Sequence, residues 1–446
     1  MAKKTYTEER LLIGNCLATL KTLPDNSIDS VVTDPPYELG FMGKSWDSTG
    51  IAFNTEIWQE CLRVLKPGGH LIAFSGSRTY HRMAVAIEDA GFEIRDQIMY
   101  VYGSGFPKSL DVSKAIDKAA GAKREVVGVS NTAVGVFAHS GSGVEQDIEK
   151  YAKGRDITTP ATKEAKQWQG WGTALKPAHE PMVLARKPLS EKTVAANVLQ
   201  HGTGAINIDG SRVGTTQLGG GTMPDLRDVG AMSKEATGID KLSFGQNPRP
   251  AERIEQPTYT GRFPANFIHD GSDEVVALFP DTGGGSFQKS SRKRKGFMLS
   301  GSEDNVQEAN APDNYGDSGT AARFFYCAKA SKSERNAGLE GLPEKRPDER
   351  TETGMGSFDE KGVAKQSNFH PTVKPVALMR YLIKLITPPN GTVLDPFLGS
   401  GTTAVAAILE DFEWKGCEMT DDYLPIIKAR VDWAIKEKKK EQPKLL

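Results

Sequence analysis

Apolar positions along this chain fall into two alternating rhythms. Short apolar runs at Leu11-Leu12-Ile13, Ile28 to Thr33, His70 to Phe74, Ile94 to Tyr102, Pro181 to Ala185 and Thr392-Val393-Leu394 predict strands. Between them, apolar residues recur on one side of a helical repeat. One such stripe is Ile57, Cys61, Leu62 and Leu65, with Asn54 as its N-cap. Others are Tyr80, Met83, Ala84 and Ile87, and Val376, Met379, Leu382, Ile383 and Ile386. Further helices are predicted over Cys16 to Leu20, Thr403 to Leu409 and Tyr423 to Lys436. Lys66-Pro67-Gly68-Gly69 is expected to end the helix before it, because proline and glycine do not continue the ladder. Strands alternating with helices predict an α/β fold, with a mostly parallel sheet covered on both faces.

Two regions break this alternation. Residues 103–173 hold one helix candidate, Leu110 to Ala120, and then a glycine- and serine-rich stretch. They read as an insertion able to lie over an active site. Residues 189–365 are the least patterned, and Gly301 to Gly319 lacks the apolar surface needed to order itself. Islands at Ala205 to Ile208, Phe263 to Phe279 and Ala322 to Ala328 are expected to drape on the sheet.

Composition narrows the class. No apolar stretch approaches the roughly 18 residues of a membrane span, and the N-terminus lacks a signal-peptide core. Four scattered cysteines without a C-x-x-C pair indicate neither a zinc site nor a disulfide framework, so no metal is expected. A reducing cytoplasm is the natural compartment. With 56 basic and 57 acidic residues, this is not a protein that coats nucleic acid. Nucleic-acid contact would need local basic surface. Arg292-Lys293-Arg294-Lys295 is one candidate; Arg323, Lys329, Lys332 and Arg335, interleaved with Phe324, Phe325 and Tyr326, form another.

Two motifs carry candidate chemistry. Asp34-Pro35-Pro36-Tyr37 follows the strand Ile28 to Thr33. A proline-stiffened turn there fixes a carboxylate, backbone carbonyls and a flat aromatic face. Those parts suit a planar group bearing an amino substituent. Asp395-Pro396-Phe397-Leu398-Gly399-Ser400-Gly401-Thr402-Thr403 lies between a strand and an alanine-rich helix. This arrangement lets a ligand approach backbone amides, and Glu418, on the next strand, suits ribose hydroxyls. No Gly-Lys-Ser/Thr follows, so this is not a P-loop. A full G-x-G-x-x-G is also absent, which argues against a nicotinamide dehydrogenase.

Together these motifs resemble the amino-methylating DNA methyltransferases of the permuted, beta-type order. Leu12 to Leu17, Leu65 to Phe74, Gly91 to Ile94, Lys176 to Leu184 and His370-Pro371-Thr372-Val373-Lys374-Pro375 fit the same order. The resemblance covers roughly residues 11–106, 174–188 and 368–432. It implies a Rossmann-like, S-adenosyl-L-methionine-dependent fold. Residues 1–188 would be the catalytic half, 189–365 a target recognition region, 366–436 the cofactor half and 437–446 a charged tail. Asp34, Pro35, Pro36 and Tyr37 would act on the base. Asn15, Asp34, His370, Thr372, Lys374, Asp395, Phe397, Gly399, Ser400, Gly401, Thr402, Thr403 and Glu418 would line the cofactor. Many relatives carry aspartate where this chain has Asn15. Double-stranded DNA is the implied partner, in a bacterial or phage-infected cell; a homodimer and a cognate restriction enzyme stay open. The resemblance implies the 6-amino group of adenine as target. The 4-amino group of cytosine is the alternative, ahead of an RNA or protein amide.

Overall fold

The computed structural model describes residues 7–39, 45–103, 105, 109–130, 155–219, 222–224, 253–255, 258–282, 319–328, 332–344 and 367–441. Nine of the described strands form one sheet. In chain order they are β1 (Leu11–Ile13), β2 (Ile28–Thr33), β3 (Leu65–Phe74), β4 (Glu93–Val101), β5 (His179–Arg186), β6 (Phe267–His269), β7 (Tyr326–Cys327), β8 (Thr392–Asp395) and β9 (Glu413–Glu418). Their spatial order is β1-β9-β8-β2-β3-β5-β4-β6-β7. All pairings are parallel except those of β5, which runs antiparallel to both β3 and β4.

The central strands are buried on both faces, so they read as near-continuous apolar runs. One face is covered by α1 (Cys16–Leu20), α2 (Thr55–Val64) and α3 (Tyr80–Asp89). The other packs against α4 (Val376–Ile386), α5 (Thr402–Leu409) and α6 (Leu424–Glu441). Asn54 caps α2, its Oδ1 accepting from Glu56 N at 2.9 Å. Trp58 and Trp414 are the largest apolar side chains fully buried.

The Lys66-Pro67-Gly68-Gly69 expectation needs correction. Helix α2 ends at Val64, and β3 begins at once with Leu65, running through all four residues. The register jumps between the pairs Ile28↔Leu65 and Ser30↔His70. Pro67 and Gly68 therefore bulge out of the ladder, with Gly68 at φ +79°. The punctuation marks a bulge inside a strand, not a gap between elements. The last helix is also longer than its apolar stripe, running to Glu441.

Two parts of residues 189–365 join the sheet edge. β6 pairs parallel with β4, and β7 pairs parallel with β6. These strands have three and two residues, too short for a period to register.

Residues 104–178 form a second compact unit. It contains a helix at Val112–Ala119, an antiparallel pair of strands at Glu125–Ser130 and Arg155–Thr159, and a helix at Lys163–Gln167. Asp117 is its hub. It accepts hydrogen bonds from Ala161 N, Thr162 N, Thr162 Oγ1 and Arg124 Nη1. Trp168 and Trp171 meet edge to face at 5.0 Å and stay exposed.

Candidate active site

In an open α/β sheet, ligands sit outside the carboxyl ends of the strands, where the strand order reverses. Here that reversal lies between β2 and β8, which are neighbours although they lie far apart in the chain. Asp34 follows β2, and Asp395 ends β8. The two signature motifs therefore flank one crevice.

Asp34 is mostly buried. Its Oδ2 accepts from Lys374 Nζ at 2.8 Å. Its Oδ1 is buried, and no donor among the described residues reaches it. Lys374 Nζ also lies 3.0 Å from the Tyr37 hydroxyl and 3.3 Å from Glu180 Oε2. The ammonium sits over two aromatic rings, 5.2 Å from the Tyr37 centroid and 5.0 Å from that of Phe74. Burial pushes the Asp34 carboxyl up; Lys374 opposes that and Glu180 adds to it. Burial alone would lower the Lys374 pKa, but the Asp34 and Glu180 carboxylates raise it above the usual lysine range.

The loop carrying Tyr37 is tied down. Thr79 Oγ1 donates to the Tyr37 carbonyl at 2.8 Å. Glu38 adopts φ +57°, and its amide donates to Asp47 Oδ1 at 2.9 Å. The Glu38 carboxylate in turn accepts from Gly50 N at 2.8 Å. A side chain with positive φ is costly and persists only where its surroundings hold it.

Across the crevice, Asp395 has its hydrogen-bonding capacity largely used. Oδ1 accepts from Thr33 Oγ1 at 2.6 Å and Phe397 N at 3.0 Å, and Oδ2 accepts from Thr403 Oγ1 at 2.5 Å. Burial raises its pKa to about 6 against these bonds. The loop then turns through Gly399 at φ +55° and Gly401 at φ +80°. A Cβ on Gly399 would lie 2.8 Å from His370 Nε2, so only glycine lets that imidazole approach. Arg430, 1% exposed, holds the loop from beneath: Nη1 donates to Ser400 O, Ser400 Oγ and Thr402 Oγ1 at 2.8, 3.0 and 2.9 Å.

The other expected residues gather here too. Glu418 accepts from Gly399 N at 2.8 Å and Thr420 N at 2.7 Å, which fixes its carboxylate at the end of β9. Asn15 caps α1 through Leu17 N at 2.9 Å, beside the end of β1. The His370 ring packs 4.6 Å from Tyr423, and its Nδ1 accepts from Thr372 N at 3.3 Å. Burial depresses the His370 pKa to about 3, so the ring is neutral at physiological pH. Arg292, Lys293, Arg294 and Lys295 lie outside the described residues, as does Lys329.

Glu180, Thr33 and Arg430 have no role in the sequence reading as site residues. Glu180 reaches the crevice because β5 runs backwards: residues at its start lie beside the ends of the parallel strands. The carboxylate next to His179 was visible in the sequence, but its strand's direction was not.

These features define an α/β sheet with a ligand crevice at its switch point. The chain belongs to the N6/N4 DNA methylase family, whose model matches residues 28–205 and 287–429. The Type II methyltransferase M.HpaI of Haemophilus parainfluenzae is 34% identical over 119 residues, 25% of this chain and 37% of that protein. The putative methylase YubD of Escherichia coli (strain K12) is 48% identical over 96 residues, 20% of this chain and 42% of that protein. The aligned stretches thus span less than half of either relative. A solved M1.HpyAVI–SAM complex aligns over 95% of this chain and 98% of its own at 14% identity, with a TM-score of 0.36. Likeness at that score carries no argument on function. Among the described residues, no helix is long and apolar enough to cross a membrane.

Proposed function

We propose that this protein is a site-specific DNA methyltransferase that transfers a methyl group from S-adenosyl-L-methionine to the 6-amino group of adenine, after extruding the base from the duplex. The observation that carries this reading is the buried, partnerless Oδ1 of Asp34, on a carboxylate whose other oxygen is held by Lys374, which also bonds the Tyr37 hydroxyl. An oriented acceptor without a donor marks the place of an incoming N–H group.

The crevice residues fit the cofactor. No side-chain hydrogen bond caps the start of α5, and Glu418 holds a fixed carboxylate at the end of β9. His370, Thr372 and Lys374 would flank the methionine end, with Phe397, Ser400, Thr402 and Thr403 shaping the loop. Glu418 would accept from the ribose hydroxyls, and Asn15 would lie near the adenine ring. When bound, S-adenosyl-L-methionine supplies an electrophilic methyl group on a sulfonium.

An aromatic amine is a poor nucleophile, because its lone pair is delocalised into the ring. Asp34 Oδ1 accepts one amine hydrogen and so orients the nitrogen. As positive charge develops there, the carboxylate offsets it; preorganised electrostatics of this kind typically supply a large share of rate acceleration. The Pro35 carbonyl accepts the second hydrogen. Tyr37 stacks on the extruded base, giving about 1–3 kcal/mol towards the few kcal/mol lost on unstacking. Residues 189–365 would carry sequence recognition, and Arg292 to Lys295 would contact backbone phosphate.

Adenine is chosen over cytosine on the Asp of the tetrapeptide, since relatives acting on cytosine usually carry Ser there. In vitro methylation of duplex DNA, digestion and mass spectrometry of the nucleosides test both parts. N6-methyl-2′-deoxyadenosine is the expected product. N4-methylcytosine alone would overturn the choice of base, and no methylated nucleoside would overturn the activity.

A further inference from the structure

Lys374 holds together more of the crevice than a cofactor contact would need. Its ammonium has three protons, and three oxygens surround it: Asp34 Oδ2, the Tyr37 hydroxyl and Glu180 Oε2. It is only 10% exposed, and the two aromatic faces of Tyr37 and Phe74 close it in. A largely buried cation flanked by two partly buried carboxylates is a costly arrangement unless the partners are satisfied. Here the one atom left unsatisfied is Asp34 Oδ1. The three groups come from separate elements: Asp34 from the end of β2, Glu180 from the start of β5, and Lys374 from the segment before α4.

We propose that Lys374 and Glu180 are positioning residues for methyl transfer: Lys374 pins Asp34 Oδ2, and Glu180 pins Lys374, so that Oδ1 alone is presented to the target amine. This rests on the methyl-transfer reading above. The physical need is specific. Burial favours the neutral carboxylic acid, and a protonated Asp34 neither offsets charge on the amine nor reliably offers an acceptor. A lysine on one oxygen restores the charge without occupying the other. Glu180 limits where that lysine can point. Without it, the flexible four-carbon stem could swing to cover both oxygens.

The groups facing Asp34 set the signs. Lys374 lowers its pKa, and Glu180 raises it. Tyr37 is neutral, its own pKa pushed far up by burial and then by the two carboxylates. Asp395 is the next carboxylate along the crevice. Asp34 works ionised, so the rate falls on the acid side as it is protonated. Replacing Lys374 with Met raises the Asp34 pKa and moves that acid limb to higher pH. Replacing Glu180 with Gln moves it to lower pH and frees Lys374. Lys374→Arg keeps the charge and returns the limb towards the wild-type position.

The test uses the full chain with saturating S-adenosyl-L-methionine and duplex DNA, and reads single-turnover transfer across pH. Circular dichroism and thermal melting confirm that each variant is folded. Lys374→Met is expected to lose transfer about tenfold, at a fixed pH on the acid limb, for each pKa unit gained by Asp34. Glu180→Gln should shift the limb the opposite way. Variants that only lower the rate, equally at every pH, would overturn the proposal. Isotope-edited infrared titration of the aspartate carboxyls, with Asp34→Asn as the reference, follows the same shift without turnover. An Asp34 titration unmoved in both variants would overturn the proposal even in an active enzyme. A silent transfer assay with a moving carboxyl titration would count against the methyl-transfer reading alone.

Discussion

Asp34 and Asp395 stand at the carboxyl ends of neighbouring parallel strands, both inside the protein and both with pKa values raised by burial. Their bonding differs. Asp395 accepts from two threonine hydroxyls and a backbone amide, all from the protein itself. Asp34 accepts from Lys374 on one oxygen and leaves the other bare. A saturated buried carboxylate is structural glue, whereas an unsaturated one is held in readiness for a ligand. Under the proposed function, the same residue type at neighbouring strand ends performs opposite tasks.

Removing each carboxylate sharpens the contrast. Asp34→Ala should slow methyl transfer by at least about 10²-fold, as for loss of a preorganised electrostatic group. Thermal stability should stay near wild type, because Lys374 keeps Glu180 and Tyr37. Turnover close to normal in a rapid-quench assay would remove the distinction altogether. Asp395→Ala should fail differently. It leaves Thr33 Oγ1, Thr403 Oγ1 and Phe397 N without an acceptor, at about 1–3 kcal/mol for each buried group. The melting temperature and cofactor binding should fall together, measured by calorimetry on the same sample. A stable variant that still binds cofactor would show that Asp395 is not the tie described here.

A smaller effect follows from charge. Burial lifts the pKa of Asp395 to about 6, from 3.8 for an ordinary aspartate. A raised carboxylate pKa means that the folded state holds its proton more tightly than the unfolded chain. The associated stability is full below about 3.8 and is lost as pH rises through about 6. Asp395→Asn should flatten that part of the stability–pH curve, as followed by denaturant melts at a series of pH values. An unchanged slope would mean that the carboxyl does not titrate in this window.

Much of this could be read from the chain. Strands β2, β5, β8 and the second half of β3 announced themselves as apolar runs, because strands covered on both faces have no polar side to show, whereas β9 (Glu413–Glu418) has only Trp414 and Cys417 as apolar side chains and did not. Both motifs were visible because proline and glycine at strand ends have few other uses. The direction of β5 was not visible, since an apolar run looks the same either way along the sheet. Glu180 therefore carries no signal of its own in the sequence, although reversal of its strand brings it to the crevice. Arg430 was hidden for another reason: its helix carries alternating charges, and only the packing places this guanidinium under the glycine loop. The edge strands β6 and β7 are made by tertiary pairing alone.

The bond from Thr33 to Asp395 joins residues 362 positions apart. Until β8 arrives, β2 has an open edge, although β3 can pair with its other side as soon as both are made. Contacts between such distant residues form slowly, because the intervening chain must first be brought to order. During synthesis, the first half of the sheet therefore waits with a bare, apolar strand edge, a surface prone to wrong pairing. Asp34 is made early and gains its neighbours late, so the crevice is completed near the end of folding. Chaperone dependence of newly made chains should accordingly track the β2–β8 seam more than the second compact unit, whose contacts are local.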